Sequence, residues 1–237
     1  MQRKRLAPLL AVAGGAIVLV LALVIALSLS GKSKSSPTPS NLNMTASIGQ
    51  MLHGIPQQGS VLGSAKAKVT LTEFGDPQCS ACANFSSNGL PVLIQNFVRS
   101  GRLRVEFQGQ TFIDRYVKGS TDSVRLLRMA LAAGEQNRLW NFIEIMYDNQ
   151  GGENSGYATD SYLEAVGNAI PGFDVNNAFA AASQPNAFAA QIKASAARFD
   201  AAGFGGTPSF LVGLTGQKLQ KVSEANLTAR IDALLNS

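Results

Sequence analysis

The sequence predicts an α/β domain with a helical insertion, set behind an apolar N-terminal segment. Three observations predict it. A strand–helix–strand pattern runs from Lys68 to Gln108, helical periodicity follows from about Thr121 to Ala202, and a strand, a hairpin partner and a helix close the chain. Strands joined through a helix favour a parallel pair with a right-handed crossover. At 237 residues the chain is long enough to bury one substantial core.

Taken in order, Arg3, Lys4 and Arg5 precede a stretch from Leu6 to Gly31 with no charged residue, rich in Leu, Val, Ala and Ile. About 20 apolar residues cross a bilayer, so 6–30 is expected to be a transmembrane signal anchor. The positive-inside rule puts 1–5 in the cytoplasm and the rest outside it. Ala26-Leu27-Ser28 offers a small-x-small cleavage pattern, but the apolar run exceeds a signal peptide's core. The expected location is therefore the cell membrane, single-pass, with an extracytoplasmic domain over 59–237. Residues 31–58, with Ser, Pro, Thr and Asn concentrated up to Ser47, read as a flexible tether. His53, the only histidine, lies in it and reads as an ordinary polar residue.

The net charge of +5 belongs to the membrane end. Five of the twenty Lys and Arg lie at or before Lys34 and all fifteen acidic residues lie after it, leaving the remainder formally neutral. Nucleic-acid binding, which needs a basic face on the folded part, is not expected.

Lys68 to Phe74 is rich in β-branched residues and reads as a strand, with Val69, Leu71 and Glu73 on one face and Thr70, Thr72 and Phe74 on the other. Val61-Leu62-Gly63 reads as a short edge strand before it. Gly75-Asp76-Pro77-Gln78 is a turn, and a helix is expected from Cys79 to about Ser100, kinked at Pro91 and stopped by Gly101. Arg102 to Gln108 alternates, with Leu103, Val105 and Phe107 inward. The insertion, about 119–202, carries apolar stripes at Val124, Leu127 and Leu131 and at Leu139, Phe142, Ile143 and Met146. Thr159 is placed to cap a helix, and Pro185 to start one. Thr207 to Val212 reads as a strand, Gln217 to Val222 as its partner, and Ser223 as the cap of a last helix.

The only two cysteines form Cys79-Ser80-Ala81-Cys82. The spacing suits a redox pair, half a metal site, or a small staple. Structural zinc needs four ligands, which two cysteines and a distant His53 do not supply. A staple closing so short a loop constrains the unfolded chain least. No metal and no cofactor are therefore expected, and the redox reading gains. At a helix N-terminus, unpaired N–H groups would favour a Cys79 thiolate, while Cys82, one turn in, would be more buried and keep its proton.

Val61-Leu62-Gly63, Val69 to Phe74, Asp76-Pro77-Gln78-Cys79, Cys82 and Gly206-Thr207-Pro208 together resemble the DsbA-like thiol–disulfide oxidoreductases. The resemblance covers Val61 to the C-terminus and implies a thioredoxin fold with an inserted helical domain. It makes Cys79 the nucleophile, Cys82 the resolving cysteine and Pro208 a cis-proline facing them. Thr207 would then pair with a substrate strand through its backbone. Glu73, six residues before Cys79, matches a buried acid able to exchange a proton with Cys82. The spacers Ser80 and Ala81 depart from the family's common choices and offer no imidazolium; the helix N-terminus and the Ser80 hydroxyl are left to stabilise the thiolate.

The leading expectation is an extracytoplasmic thiol–disulfide oxidoreductase forming disulfides in exported thiol proteins, reoxidised by a membrane thiol oxidase. A reductase or isomerase fed by an electron donor is the second. A non-catalytic binding protein with a static disulfide is the third.

Overall fold

The computed structural model describes residues 42–237. The expected n-region, the anchor and the tether as far as residue 41 lie outside them. No helix among the described residues is long and apolar enough to cross a membrane.

The tether expected up to residue 58 is folded where it is described. Thr45–Leu52 forms α1, and Leu42, Ile48, Leu52 and Ile55 join the core. Ile48 and Leu52 are four apart and so share a helical face, a period that the Ser/Asn-rich composition masks. The Arg99 guanidinium donates to the carbonyls of Met51 and His53 at 2.7 and 3.1 Å, closing the end of this helix.

Six strands form one sheet: β1 (Gln57–Gln58), β2 (Val61–Leu62), β3 (Val69–Gly75), β4 (Leu103–Gly109), β5 (Ser209–Leu214) and β6 (Gln220–Val222), in the order β1-β2-β4-β3-β5-β6. Central β3 runs parallel to β4 and antiparallel to β5. Every residue of β3 is buried. On one face, Phe74 packs against Phe199 and Phe204. On the other, Glu73 stands between its register partners Phe107 and Phe210. The hairpin partner expected over Gln217 to Val222 is three residues long, Gln220–Val222, and Thr215-Gly216 turns the chain with Gly216 at φ 82°.

The helix after β3 is broken where a kink was expected. α2 spans Ser80–Asn88 and α3 spans Leu90–Leu93, followed by a π-turn at Ile94–Val98. Pro91 has no N–H to return to the preceding turn. Gly101, at φ 74°, ends the segment in a left-handed cap.

A 3-10 turn at Ile113–Tyr116 leads into the insertion: α4 (Asp122–Glu135), α5 (Leu139–Asp148), α6 (Asp160–Asn168), α7 (Val175–Ala182) and α8 (Ala189–Ala201). Thr159 caps α6 by accepting the Tyr162 N–H. Pro185 does not start a helix. Asn186 and Phe188 that follow it take left-handed backbone, so α8 begins only at Ala189. Ser223 precedes a 3-10 turn at Glu224–Asn226, and α9 (Leu227–Leu235) packs its Leu227, Ile231 and Leu234 inward.

Candidate active site

The seven-residue β3 delivers the chain to the Asp76–Gln78 turn, and α2 starts immediately after it. Cys79 is the N-cap of α2: its N–H bonds to Asp76 O at 2.9 Å, and its carbonyl takes the Ala83 N–H at 3.1 Å. Both cysteines are free thiols. Cys79 keeps 8% of its surface, and Cys82, one turn on, keeps none.

Opposite them, the Thr207–Pro208 bond is cis, and Thr207 O lies 3.3 Å from the Cys79 sulfur. Thr207 Oγ1 is buried without a hydrogen-bond partner, and its hydroxyl is among the groups that lower both thiols. The structure therefore brings Cys79, Cys82, Thr207 and Pro208 into one site although well over a hundred residues separate the two segments. Ser80 and Ala81 are exposed on the rim.

The two sulfurs differ chemically. The Cys79 pKa is drawn down to about 6, first by the Cys82 thiol's hydrogen bond, then against burial by Thr207 and the N–H groups of Cys82 and Ala81. Its anion is thus held by the turn of helix that follows it. Ala81 contributes its backbone; no hydrogen bond forms from the Ser80 hydroxyl to the sulfur. Burial, then the neighbouring Cys79, pushes Cys82 well above the usual thiol range. One cysteine is poised to attack as thiolate and the other to hold a proton.

Glu73 is 2% exposed, and its Oε2 has no partner. Burial, then the charges of Glu144 and Glu224, holds its carboxyl well above the usual range. Among the described residues no group of three or more His, Cys, Asp and Glu side chains is arranged to hold a metal.

Other residues complete the site without standing out in the sequence. Asp76 Oδ1 accepts from the Gln78 N–H at 3.0 Å and from Ser123 Oγ at 2.6 Å, and Oδ2 accepts from the Ile113 N–H at 3.1 Å. Gln78 Nε2 donates to Asp114 Oδ1 at 2.8 Å and to Ser123 Oγ at 2.7 Å, and Gln78 Oε1 accepts the Asn154 N–H. The residues just before Cys79 are thereby clasped by the insertion. Burial raises the Asp76 carboxyl to about 6 against the pull of its donors. Tyr147 Oη donates to Asp76 O at 3.2 Å. Glu144 is a second buried acid, taking a 2.7 Å bond from Ser86 Oγ; its one sequence signal is a carboxylate inside the apolar stripe of Phe142, Ile143 and Met146.

A family model described as thioredoxin matches residues 56–233. The chain belongs to the thioredoxin family. A curated relative, the probable disulfide bond formation protein D of Bacillus cereus, is 28% identical over 115 residues, which is 48% of this chain and 51% of the relative. The chain thus spans about half the length of the curated relatives it matches. Among solved structures, oxidised BdbD from Bacillus subtilis superposes with a TM-score of 0.62 at 19% identity, covering 77% of this chain and 98% of that one. Chlamydia trachomatis DsbA gives 0.63 at 20% identity, covering 75% and 91%. At such identities these likenesses concern the fold, which is the DsbA-like form of thioredoxin.

Proposed function

We propose that this thioredoxin-family chain is a membrane-tethered, extracytoplasmic thiol–disulfide oxidoreductase that forms disulfides in exported proteins. The observation that carries the reading is the unequal pair: an acidic Cys79 thiol at a helix N-terminus over a buried, proton-holding Cys82, both facing Thr207. In the oxidase direction a substrate thiolate attacks Cys79 of the disulfide. A mixed disulfide forms and Cys82 leaves with the electron pair, taking a proton. A second substrate thiolate attacks the substrate sulfur and expels Cys79 as thiolate. Two electrons pass from the substrate to the pair, and a membrane thiol oxidase removes them again.

Thr207 and Pro208 are assigned to substrate binding, the Thr207 backbone pairing with an extended segment beside the substrate cysteine. Glu73 is assigned to proton exchange with Cys82, and the anchor at 6–30 to placing the domain outside the cytoplasm. The test is recovery of activity by a reduced, unfolded disulfide protein. The protein should accelerate it and Cys79→Ser should not; no acceleration, or equal rates, ends the reading. A Cys82→Ala variant should accumulate mixed disulfides with its clients. Glu73→Gln should change the pH profile of exchange, and an unchanged profile would remove that residue's role.

One observation keeps a reductase in view. A Cys79 pKa of about 6 falls between those of thioredoxin (about 7) and DsbA (about 3.5). A reduction potential near −120 mV supports oxidation, and one near −270 mV supports reduction.

A further inference from the structure

We infer that Glu144, held against Ser86 in the buried seam between α2 and α5, supplies the proton that Glu73 delivers to the Cys82 sulfur. The inference deepens the oxidoreductase reading and rests on it. Glu144 is 3% exposed, and its Oε2 accepts a 2.7 Å hydrogen bond from Ser86 Oγ. Ser86 follows Cys82 by four residues, so hydroxyl and sulfur lie on one face of α2. Glu73 stands on β3 with an unpartnered, buried Oε2, near enough for its charge to act on Cys82 and for that of Glu144 to act on it. Outward, Asp148 follows Glu144 by one turn of α5 and is only partly buried, and its Oδ2 is left without a hydrogen-bond partner. Three carboxyls thus run from the sulfur to the surface.

The groups around Glu144 leave it free to act as an acid near neutrality. Burial raises it to about 8, with Ser86 lowering and Asp148 raising it. α1 brings no titratable residue; α2 brings Cys82 and Ser86; β3 brings Glu73; Tyr147 of α5 donates to Asp76 O. On α4, Asp122 and Arg125 bond to the 156–160 segment, and Arg128 and Glu135 lie on the same helix. On α6, Tyr162 bonds to Met146 O, and Asp160 and Glu164 are exposed. The charge acting on Glu144 is that of Asp148. Glu73 is likewise held well above the usual range, by burial and then by the charge of Glu144, so a Glu73 carboxylate draws a proton from an acid beside it.

When the Cys79–Cys82 bond breaks, its electron pair departs on Cys82. The thiolate takes the Glu73 proton. A carboxylate left between Phe107 and Phe210 is costly, so Glu73 gives up its proton only as fast as Glu144 replaces it. Water restores Glu144 by way of Asp148. One proton enters and no further oxidant is needed.

The test follows reduction of the oxidised full chain by dithiothreitol between pH 6 and 9, reading Cys79 thiolate absorbance and correcting for dithiothreitol ionisation. Glu144→Gln keeps the shape of the neutral acid and an oxygen for Ser86. The wild-type rate should fall through a limb near pH 8. In Glu144→Gln that limb should vanish, with the rate at pH 7 lowered by roughly tenfold. Ser86→Ala removes a bond to the anion and should move the limb to higher pH. A Glu144→Gln profile that superimposes on wild type overturns the inference. If that variant does not fold, an unmoved limb in Ser86→Ala overturns it. A pair that dithiothreitol cannot reduce at all sinks the oxidoreductase reading instead, a distinct outcome.

Discussion

Lowering the pH from 8 to 5 changes how many protons accompany the two electrons that reduce Cys79 and Cys82. Above about pH 6 Cys79 is a thiolate and only Cys82 takes up a proton. The reduction potential should then change by about 30 mV per pH unit, and below pH 6, where both sulfurs are protonated, by about 59 mV. The same acidity favours the reduced form. Against an ordinary thiol at 9.0, a pKa of about 6 makes reduction about tenfold more favourable at pH 7. That is about 30 mV or 1.4 kcal/mol, an upper value because the sulfur sits at the solvent rim. Because the folded pKa lies below the unfolded one, this stabilisation is complete above pH 9 and is lost as the pH falls through about 6. The disulfide form, having no thiol, shows none of it. Equilibration in glutathione buffers from pH 5 to 8, with alkylation to count thiols, measures the slope. Thr207→Val, lacking the hydroxyl that favours the thiolate, should move the break upward. A uniform slope of about 59 mV up to pH 8 would refute the placement of the charge on Cys79.

Three further outcomes follow from packing and hydrogen bonding. Leu52→Ala should cost about 2–5 kcal/mol in urea unfolding, because Leu52 is buried in the core; a loss under about 1 kcal/mol would return the segment to tether status. Ser123→Ala removes the donor to Asp76 and an acceptor of Gln78, and should cost about 1–3 kcal/mol, with Asp76 titrating higher by NMR. Gly109→Ala should cost about 1–3 kcal/mol, since a Cβ there would overlap the Leu127 side chain; a thermal melt that does not move would contradict that contact.

The fold was legible where side-chain period and special residues agree. Val69 to Phe74, the alternation of Leu103, Val105 and Phe107, and Gly101 as a stop each have a local cause, and each is found in the structure. The helix α1 was hidden because its two buried residues, Ile48 and Leu52, sit in a stretch whose composition matches a linker. Pro185 failed as a start signal because the left-handed Asn186 and Phe188 after it are a tertiary outcome. The cysteine pair was legible from spacing, but Pro208's place beside it came from family likeness, since nothing local brings Thr207 to Cys79. Glu73, six residues before Cys79, was singled out by the same family likeness, its strand face agreeing with burial. Asp76, Gln78, Ser123 and Asn154 could not be placed, because a clasp across the fold joins residues that individually look like turn and helix-start filler.

That clasp bears on how separable the parts of this protein are. The insertion reaches Gln78, whose next neighbour is Cys79, and holds it through Ser123 and Asn154, with Asp114 of the preceding 3-10 turn as a third partner. Exchanging the insertion for that of another thioredoxin-fold protein would remove Ser123 and Asn154 and leave Asp76 and Gln78 each short of buried hydrogen bonds, at about 1–3 kcal/mol each. A chimera that keeps its cysteine site intact would have to carry Ser123 and Asn154 across the graft. In this chain the packing of the insertion and the position of the cysteine pair are therefore joined through Gln78, and a change in one bears on the other.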